Sequence, residues 1–152
     1  MTEKTAYYHV QQPNDWSCLA AVAAMAVGDD SIDRFVKFIG HDGSEKIPKS
    51  LHPEGHRGFR MVEAVRYLAE HDLGMGCYLN ADFTVPDNVF GLERPAIVAV
   101  QSTRYPKCLH MVLWVNPAVL DPRKEEPTAL DKYEIKEWWP LIDLGPDQGD
   151  NE

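Results

Sequence analysis

The chain has 152 residues, of which 44% are hydrophobic, and its formal net charge at pH 7 is −9. A chain of this length buries about 70% of the surface that its unfolded form exposes, which is enough for a core without disulfides or a structural metal. The excess of acidic residues argues against a surface that binds nucleic acid or anionic lipid, because such binding depends largely on lysine and arginine.

Three segments in the first half of the chain predict helices. An Ala-rich run predicts a helix from Ser17 to Val27, with Ser17 or Asp15 as the N-cap and Gly28 just past the end. A second helix is predicted over residues 31–39, and residues 41–58 are predicted to form a long loop. A third helix is predicted over residues 59–71, followed by Gly74, with an apolar stripe formed by Met61, Val62, Val65 and Leu68.

The second half of the chain predicts strands. Apolar or alternating runs indicate strands at residues 75–79, 95–101, 109–115, 118–121 and 131–136. Helices followed by a mostly antiparallel sheet indicate an α+β domain, which we assign to residues 1–144. The remaining residues, 145–152, are polar and acidic and are predicted to form a disordered tail.

Two further patterns bear on the cellular compartment. The N-terminal residues lack the charged, apolar and small-residue layout of a signal peptide, and no apolar run reaches the roughly 18 residues that a membrane span needs. Three cysteines, an odd number, fit a reducing compartment better than a disulfide framework. We therefore expect a cytoplasmic protein that does not bind membranes, and the oligomeric state stays open.

The most informative residue pair is Gln12 and Cys18, because the cysteine opens the first predicted helix and the glutamine precedes it by a short segment. A thiol at a helix N-terminus feels the positive end of the helix dipole and the free N–H groups of the first turn, which favours the thiolate. A side-chain amide just upstream can donate a hydrogen bond to a developing oxyanion. Cys18 is therefore a candidate nucleophile, and Gln12 a candidate oxyanion donor.

Two residues in the second half complete a candidate catalytic set. His110 opens a predicted strand, and Asp121 lies past an Asn116-Pro117 turn where the chain can fold back beside it. His110 would accept the thiol proton and return it to a leaving amine, while Asp121 would hold the imidazole in one tautomer. This set would cleave a peptide or isopeptide bond.

These motifs resemble the C39-like branch of papain-fold cysteine peptidases over roughly residues 8 to 140. The resemblance rests on a Gln six residues before the Cys, an Ala-Met helix, an apolar strand, a strand that begins with His, and a later Asp-Pro, which match Gln12, Cys18, Ala24-Met25, the run from Pro95, His110 and Asp121-Pro122. It implies a papain-like α+β fold, a Cys-His-Asp thiol protease acting on a peptide or protein substrate, and no cofactor.

Two positions differ from the family pattern. The family usually has Asp before the Cys and Gly after it, whereas this chain has Ser17 and Leu19. Leu19 is expected to narrow the oxyanion site and to contact substrate, and Trp16 is expected to contact substrate from just before the nucleophile. Trp16 could alternatively pack under the first helix. The segments that could select a substrate side chain are residues 41–58, 80–94 and 102–107.

Two alternative functions stay open at this stage. Cys108 and His110 alternate on one strand and, with Cys18, could form a metal site, although no CxxC pair supports this. Cys108 could otherwise modulate the pocket or be oxidised with Cys18. The chain could also be a catalytically inactive papain-fold protein that uses its acidic surface as a protein-binding or inhibitory module.

Overall fold

The structure, a computed structural model, describes residues 7–76, 78–79 and 93–145. In these residues the elements are α1 (Cys18–Ala26), α2 (Asp33–Ile39), α3 (Met61–Glu70), β1 (Leu73–Met75), β2 (Tyr78–Leu79), β3 (Ala96–Gln101), β4 (Leu109–Val115), β5 (Ala118–Leu120), a 3-10 helix (Leu130–Lys132) and β6 (Ile135–Asp143). The three α-helices precede six strands, which form one antiparallel sheet in the order β1-β6-β3-β4-β5, with β2 also pairing with β6. The predicted α+β class is confirmed.

Helix α1 is the central element of the fold, because every residue from Leu19 to Ala26 is buried. Its small alanines allow close approach on two sides. One side packs Val22 and Met25 with Ile97 and Leu113 of the sheet, and the other side packs against α2 and α3. Burial on both sides fixes the helix axis, and with it the position of Cys18 at the N-terminus.

Strand β4 carries His110 at its start. The β3–β4 register places Val100 opposite His110 and Val98 opposite Val112, so the histidine lies where β3 ends. Its alternating neighbours Val112 and Trp114 belong to a second apolar cluster, on the face of the sheet that Tyr133 and Leu130 partly cover. The sheet is thus packed on both faces, and His110 lies at one end of it.

Helix α3 buries a different face from the predicted stripe. Val62 and Val65 are 59% and 42% exposed, whereas the buried residues are Glu63, Ala64, Tyr67 and Leu68. The Glu63 carboxylate accepts the Arg60 backbone N–H at 2.8 Å and contacts His41, so this acid is held inward at the helix start. The aromatic ring of Tyr67 packs edge-on against Phe35, which places more apolar surface in the core than a valine would.

Two strand boundaries also differ from prediction. Gly74 lies within β1, and Asp72 instead takes the left-handed conformation between helix and strand, with φ 60°. The last strand covers Ile135–Asp143 rather than residues 131–136. Pro140 makes this strand hard to predict from the sequence. Proline has no N–H to donate to a sheet hydrogen bond and usually indicates an edge strand or the end of a strand. Trp138 of this strand is fully buried in the core.

Parts of three predictions fall outside the described residues: residue 77 of the strand predicted over 75–79, residues 80–92 of the candidate selectivity segment 80–94, and residues 146–152 of the predicted tail. Within the described ranges, none of the helices has both the length and the apolar character needed to cross a bilayer.

Candidate active site

The N-terminus of α1 presents a free thiol. Cys18 is the first residue of the helix and is partly exposed. The residue before it, Ser17, is fully buried and donates its hydroxyl to the Asn14 side chain, which also accepts the Trp16 N–H at 3.2 Å. Ser17 therefore does not cap the helix with its side chain, and the first-turn N–H groups are left for another acceptor beside the thiol.

His110 and Asp121 form a buried pair. The imidazole Nε2 lies 2.7 Å from Asp121 Oδ1, and the two residues are 7% and 3% exposed. Asp121 Oδ1 also accepts the Arg123 backbone N–H at 2.9 Å. The strand β5 ends at Leu120, so the chain turns back beside the start of β4 immediately after the sheet pairing stops.

The pKa values of this pair move in opposite directions. Burial by itself would raise the pKa of Asp121, but the hydrogen bond and charge of His110, with the Arg123 N–H and Tyr133 hydroxyl, lower it from 3.8 to about 2. Burial would likewise lower the pKa of His110, but hydrogen bonds and charges of Asp121 and Cys18 raise it from 6.5 to about 9. At neutral pH the pair is therefore an imidazolium and a carboxylate.

The second nitrogen of the His110 ring is available to the thiol. Nδ1 is buried and has no regular hydrogen-bond partner within the described part of the chain. The Cys18 side chain nevertheless acts on the same ring, both by hydrogen bonding and by its charge, and so contributes to the raised pKa of His110. The imidazole can therefore exchange a proton with Cys18 while Asp121 holds its other edge.

Gln12 is tied to the same region by the backbone. Its N–H donates to the Pro122 carbonyl at 2.9 Å, and the His9 ring Nε2 donates to the Asp121 carbonyl at 2.8 Å. The Gln12 side-chain amide donates one hydrogen to the Asn14 carbonyl at 2.7 Å. An amide nitrogen carries two hydrogens, so one hydrogen of this amide stays available for a further acceptor. The predicted role of Gln12 as an oxyanion donor stays a prediction.

Tyr133 is a member of this network that no sequence motif identifies. Its hydroxyl donates to Asp121 Oδ2 at 2.7 Å and lies 2.9 Å from Thr128 Oγ1. Burial, and beyond it the hydrogen bond and charge of Asp121, raise the pKa of Tyr133, so the phenol keeps its proton and acts as the donor. Because Tyr133 is separated from Asp121 by a turn and a 3-10 helix, no spacing in the sequence points to it.

Removing the Tyr133 hydroxyl is expected to weaken the hold on Asp121. In Tyr133→Phe the buried Oδ2 loses its donor, and a hydrogen bond to a charged group is worth about 1.5–3 kcal/mol. We expect urea denaturation at pH 7 to show a loss of about 2 kcal/mol, together with an acid unfolding transition at higher pH, because Asp121 is then easier to protonate. Tyr105→Phe, on the 102–107 loop, is the matched control. Equal unfolding curves for the two variants would contradict this role.

Trp16 lies two residues before Cys18 and packs against the 41–58 loop. Its Nε1 donates to the Asp42 carbonyl at 3.0 Å, and its ring stacks on His56 with centroids 4.0 Å apart. Gly43 has φ 75°, and a Cβ there would lie 2.9 Å from the Trp16 ring, so this close approach requires glycine. The partly exposed Trp16 thus packs on the 41–58 loop, and its contact with substrate stays a prediction.

Leu19 points away from the thiol. It is 5% exposed and packs among Ala20, Ala23, Phe35 and Tyr67 between the helices. Successive helical residues diverge by about 100°, so a residue next to Cys18 can face the core while the thiol faces outward. This placement leaves Leu19 little exposed surface. Its contact with substrate and its narrowing of the oxyanion site stay predictions.

Cys108 lies just before the start of β4, outside the strand. It is a free, partly buried thiol, and burial together with the negative charge of Glu54 raises its pKa. In residues 7–76, 78–79 and 93–145, no group of three or more His, Cys, Asp or Glu side chains is arranged to hold a metal ion.

A solved structure resembles this fold over nearly its whole length. It is described as a double glycine motif protease from an AMS/PCAT transporter in complex with the leader peptide. The alignment covers 91% of this chain and 93% of that chain, with a TM-score of 0.52 and 12% sequence identity. The likeness confirms the predicted papain-like α+β fold.

Sequence comparisons give no family. No protein-family model matches the chain, and no curated protein matches it significantly.

Proposed function

We propose that the chain is a papain-like thiol hydrolase of the C39-like type that cleaves a peptide or isopeptide bond. The observation that carries the proposal is the position of His110 between Asp121 Oδ1, at 2.7 Å, and the Cys18 side chain. A Cys, a His and an Asp that follow each other in this order and interact in this way are typical of enzymes that transfer an acyl group through a thioester.

The proposed reaction begins with attack of the Cys18 sulfur on the substrate carbonyl carbon. The Cys18 N–H and the Gln12 amide bind the oxyanion, each donor contributing on the order of 3 kcal/mol in well-aligned geometry. The tetrahedral intermediate collapses as His110 gives its proton to the leaving amine. Water, deprotonated by the same imidazole, then hydrolyses the thioester and restores the thiol. Asp121 keeps the ring oriented throughout.

A peptide substrate is the class that the fold comparison supports. The resembling structure is a protease described in complex with a leader peptide, and the Cys18 side chain is partly exposed to solvent. Free thiols at Cys18 and Cys108 suit a reducing compartment, so we place the activity in the cytoplasm.

The test is the pH dependence of alkylation by iodoacetamide, read by peptide mass spectrometry. We expect Cys18 to react nearly as fast at pH 6 as at pH 8, because the His110 imidazolium stabilises a thiolate where an ordinary thiol is protonated. A second change in rate is expected near pH 9, where the pKa of His110 places the loss of its proton. Cys108, whose pKa is raised, is the internal reference and should react only in alkaline solution.

The His110→Ala variant is the control for this measurement. It should remove the reactivity of Cys18 at pH 6 and leave Cys108 unchanged. If Cys18 and Cys108 react with the same profile in the wild-type protein, the ion pair is absent, and the non-catalytic protein-binding hypothesis is favoured instead.

A further inference from the structure

A basic cavity borders the His110–Asp121 pair. It has a volume of about 400 Å³, and its lining includes His110, Asp121 and Tyr133, together with the cations Arg123, Lys124 and Lys132. Three of the chain's 15 lysines and arginines therefore gather at one site of a protein whose net charge is −9.

The acidic groups at this cavity are already neutralised. Asp121 accepts hydrogen bonds from His110, Arg123 and Tyr133, and Glu134 forms an ion pair with Lys136 at 2.6 Å. From the 41–58 loop, the charge of Glu54 also reaches Arg123. Because His110 is itself cationic below about pH 9, the cavity keeps an excess of positive charge.

Two of the cations have unused capacity. Arg123 Nε is buried and has no hydrogen-bond partner in the ranges that the structure describes. Lys124 Nζ lies 5.2 Å from the centre of the Tyr133 ring, an arrangement that holds the ammonium group over the wall of the cavity without neutralising it. An anionic ligand here would gain charge-assisted hydrogen bonds at no cost of breaking existing ion pairs.

We propose that this cavity binds an acidic side chain on the leaving side of the peptide substrate. The inference rests on the proposed function. In that mechanism His110 protonates the leaving amine, so the residues that follow the cleaved bond must lie next to His110, and the basic cavity shares its wall with that imidazole. The substrate class is therefore a peptide with Asp or Glu shortly after the cleaved bond.

The experiment uses a mixture of acetylated, amidated decapeptides in which every position carries all common residues equally. New N-termini are sequenced after digestion, and the best-cleaved sequence is then synthesised as a pair, one with Glu and one with Lys at the selected position. We expect the wild-type protein to cleave the Glu peptide about fivefold faster in kcat/KM, the ratio that one solvent-accessible ion pair supplies. The difference should diminish at high salt.

Charge reversal at the cavity gives the matched variants. Lys132 is exposed, so Lys132→Glu should leave the fold intact while abolishing or inverting the preference between the two peptides. Lys37→Glu makes the same change of net charge on α2, outside the cavity, and should keep the wild-type preference. Arg123→Gln should reduce the preference while preserving its backbone hydrogen bond to Asp121.

The outcomes separate the two proposals. Cleavage without an acidic preference, or a preference unchanged by both Lys132→Glu and Arg123→Gln, would overturn the cavity assignment and leave the hydrolase proposal in place. Absence of any cleavage, with Cys18 no more reactive than Cys108, would overturn the hydrolase proposal and the assignment that depends on it.

Discussion

Cys18→Ala is expected to abolish peptide cleavage, with a fall in turnover of at least about 10⁴-fold, because no other group can form the acyl intermediate. The position lies at the start of an Ala-rich helix whose following residues are buried. Alanine fits this environment and favours helix, so the fold should persist. Turnover is measured on the best-cleaved decapeptide of the random mixture, with thermal unfolding measured in parallel.

Two control variants make this result specific. Cys108→Ala removes the other described thiol, whose pKa is raised and which has no role in the proposed reaction, and it should retain turnover. Cys18→Ser replaces the thiol with a hydroxyl of similar size. Because a hydroxyl does not readily form an anion, this variant should be nearly as inactive as Cys18→Ala. Equal turnover in the wild-type protein and Cys18→Ala, with both folded, would exclude the mechanism.

The helices and most strands were predictable because their sequence patterns agree with their environment. The first helix is buried on all sides, and a continuous Ala, Val and Met run is what such a helix needs. Strands β3 and β4 are buried in the sheet and appear in the sequence as continuous apolar runs. Cys18, His110 and Asp121 could also be selected as candidate site residues from the sequence, because each lies at or next to the end of such a helix or strand.

The features that the sequence does not predict depend on contacts between distant segments. The orientation of Leu19 is decided by Phe35 and Tyr67, which belong to other helices. The buried face of α3 is decided by Tyr67, whose hydroxyl bonds Asp29 and whose ring contacts Phe35. Tyr133 meets Asp121 only because the chain after β5 returns along the sheet. These contacts join residues that are distant in the sequence, so no local pattern of apolar residues predicts them.

Substitutions of His110 and Asp121 should give a graded loss of activity. In His110→Ala no group takes up the thiol proton or protonates the leaving amine, and we expect a fall in kcat/KM of about 10³- to 10⁴-fold. Asp121→Asn keeps the shape of the side chain and one acceptor oxygen. It loses a charge-assisted hydrogen bond worth about 1.5–3 kcal/mol, which corresponds to about tenfold to a hundredfold.

The pH profile distinguishes a positioning role of Asp121 from general damage to the fold. The carboxylate helps to raise the pKa of His110 to about 9, so its replacement by a neutral amide must lower that pKa. The imidazolium then loses its proton at lower pH, and the alkaline limb of kcat/KM should move down from near pH 9 in Asp121→Asn. Asp131→Asn, on the 3-10 helix, removes a charge of the same sign and should leave the limb in place. A lower rate with an unmoved alkaline limb in Asp121→Asn would mean that the carboxylate does not control the proton on His110, and the assignment of Asp121 to the triad would then be wrong.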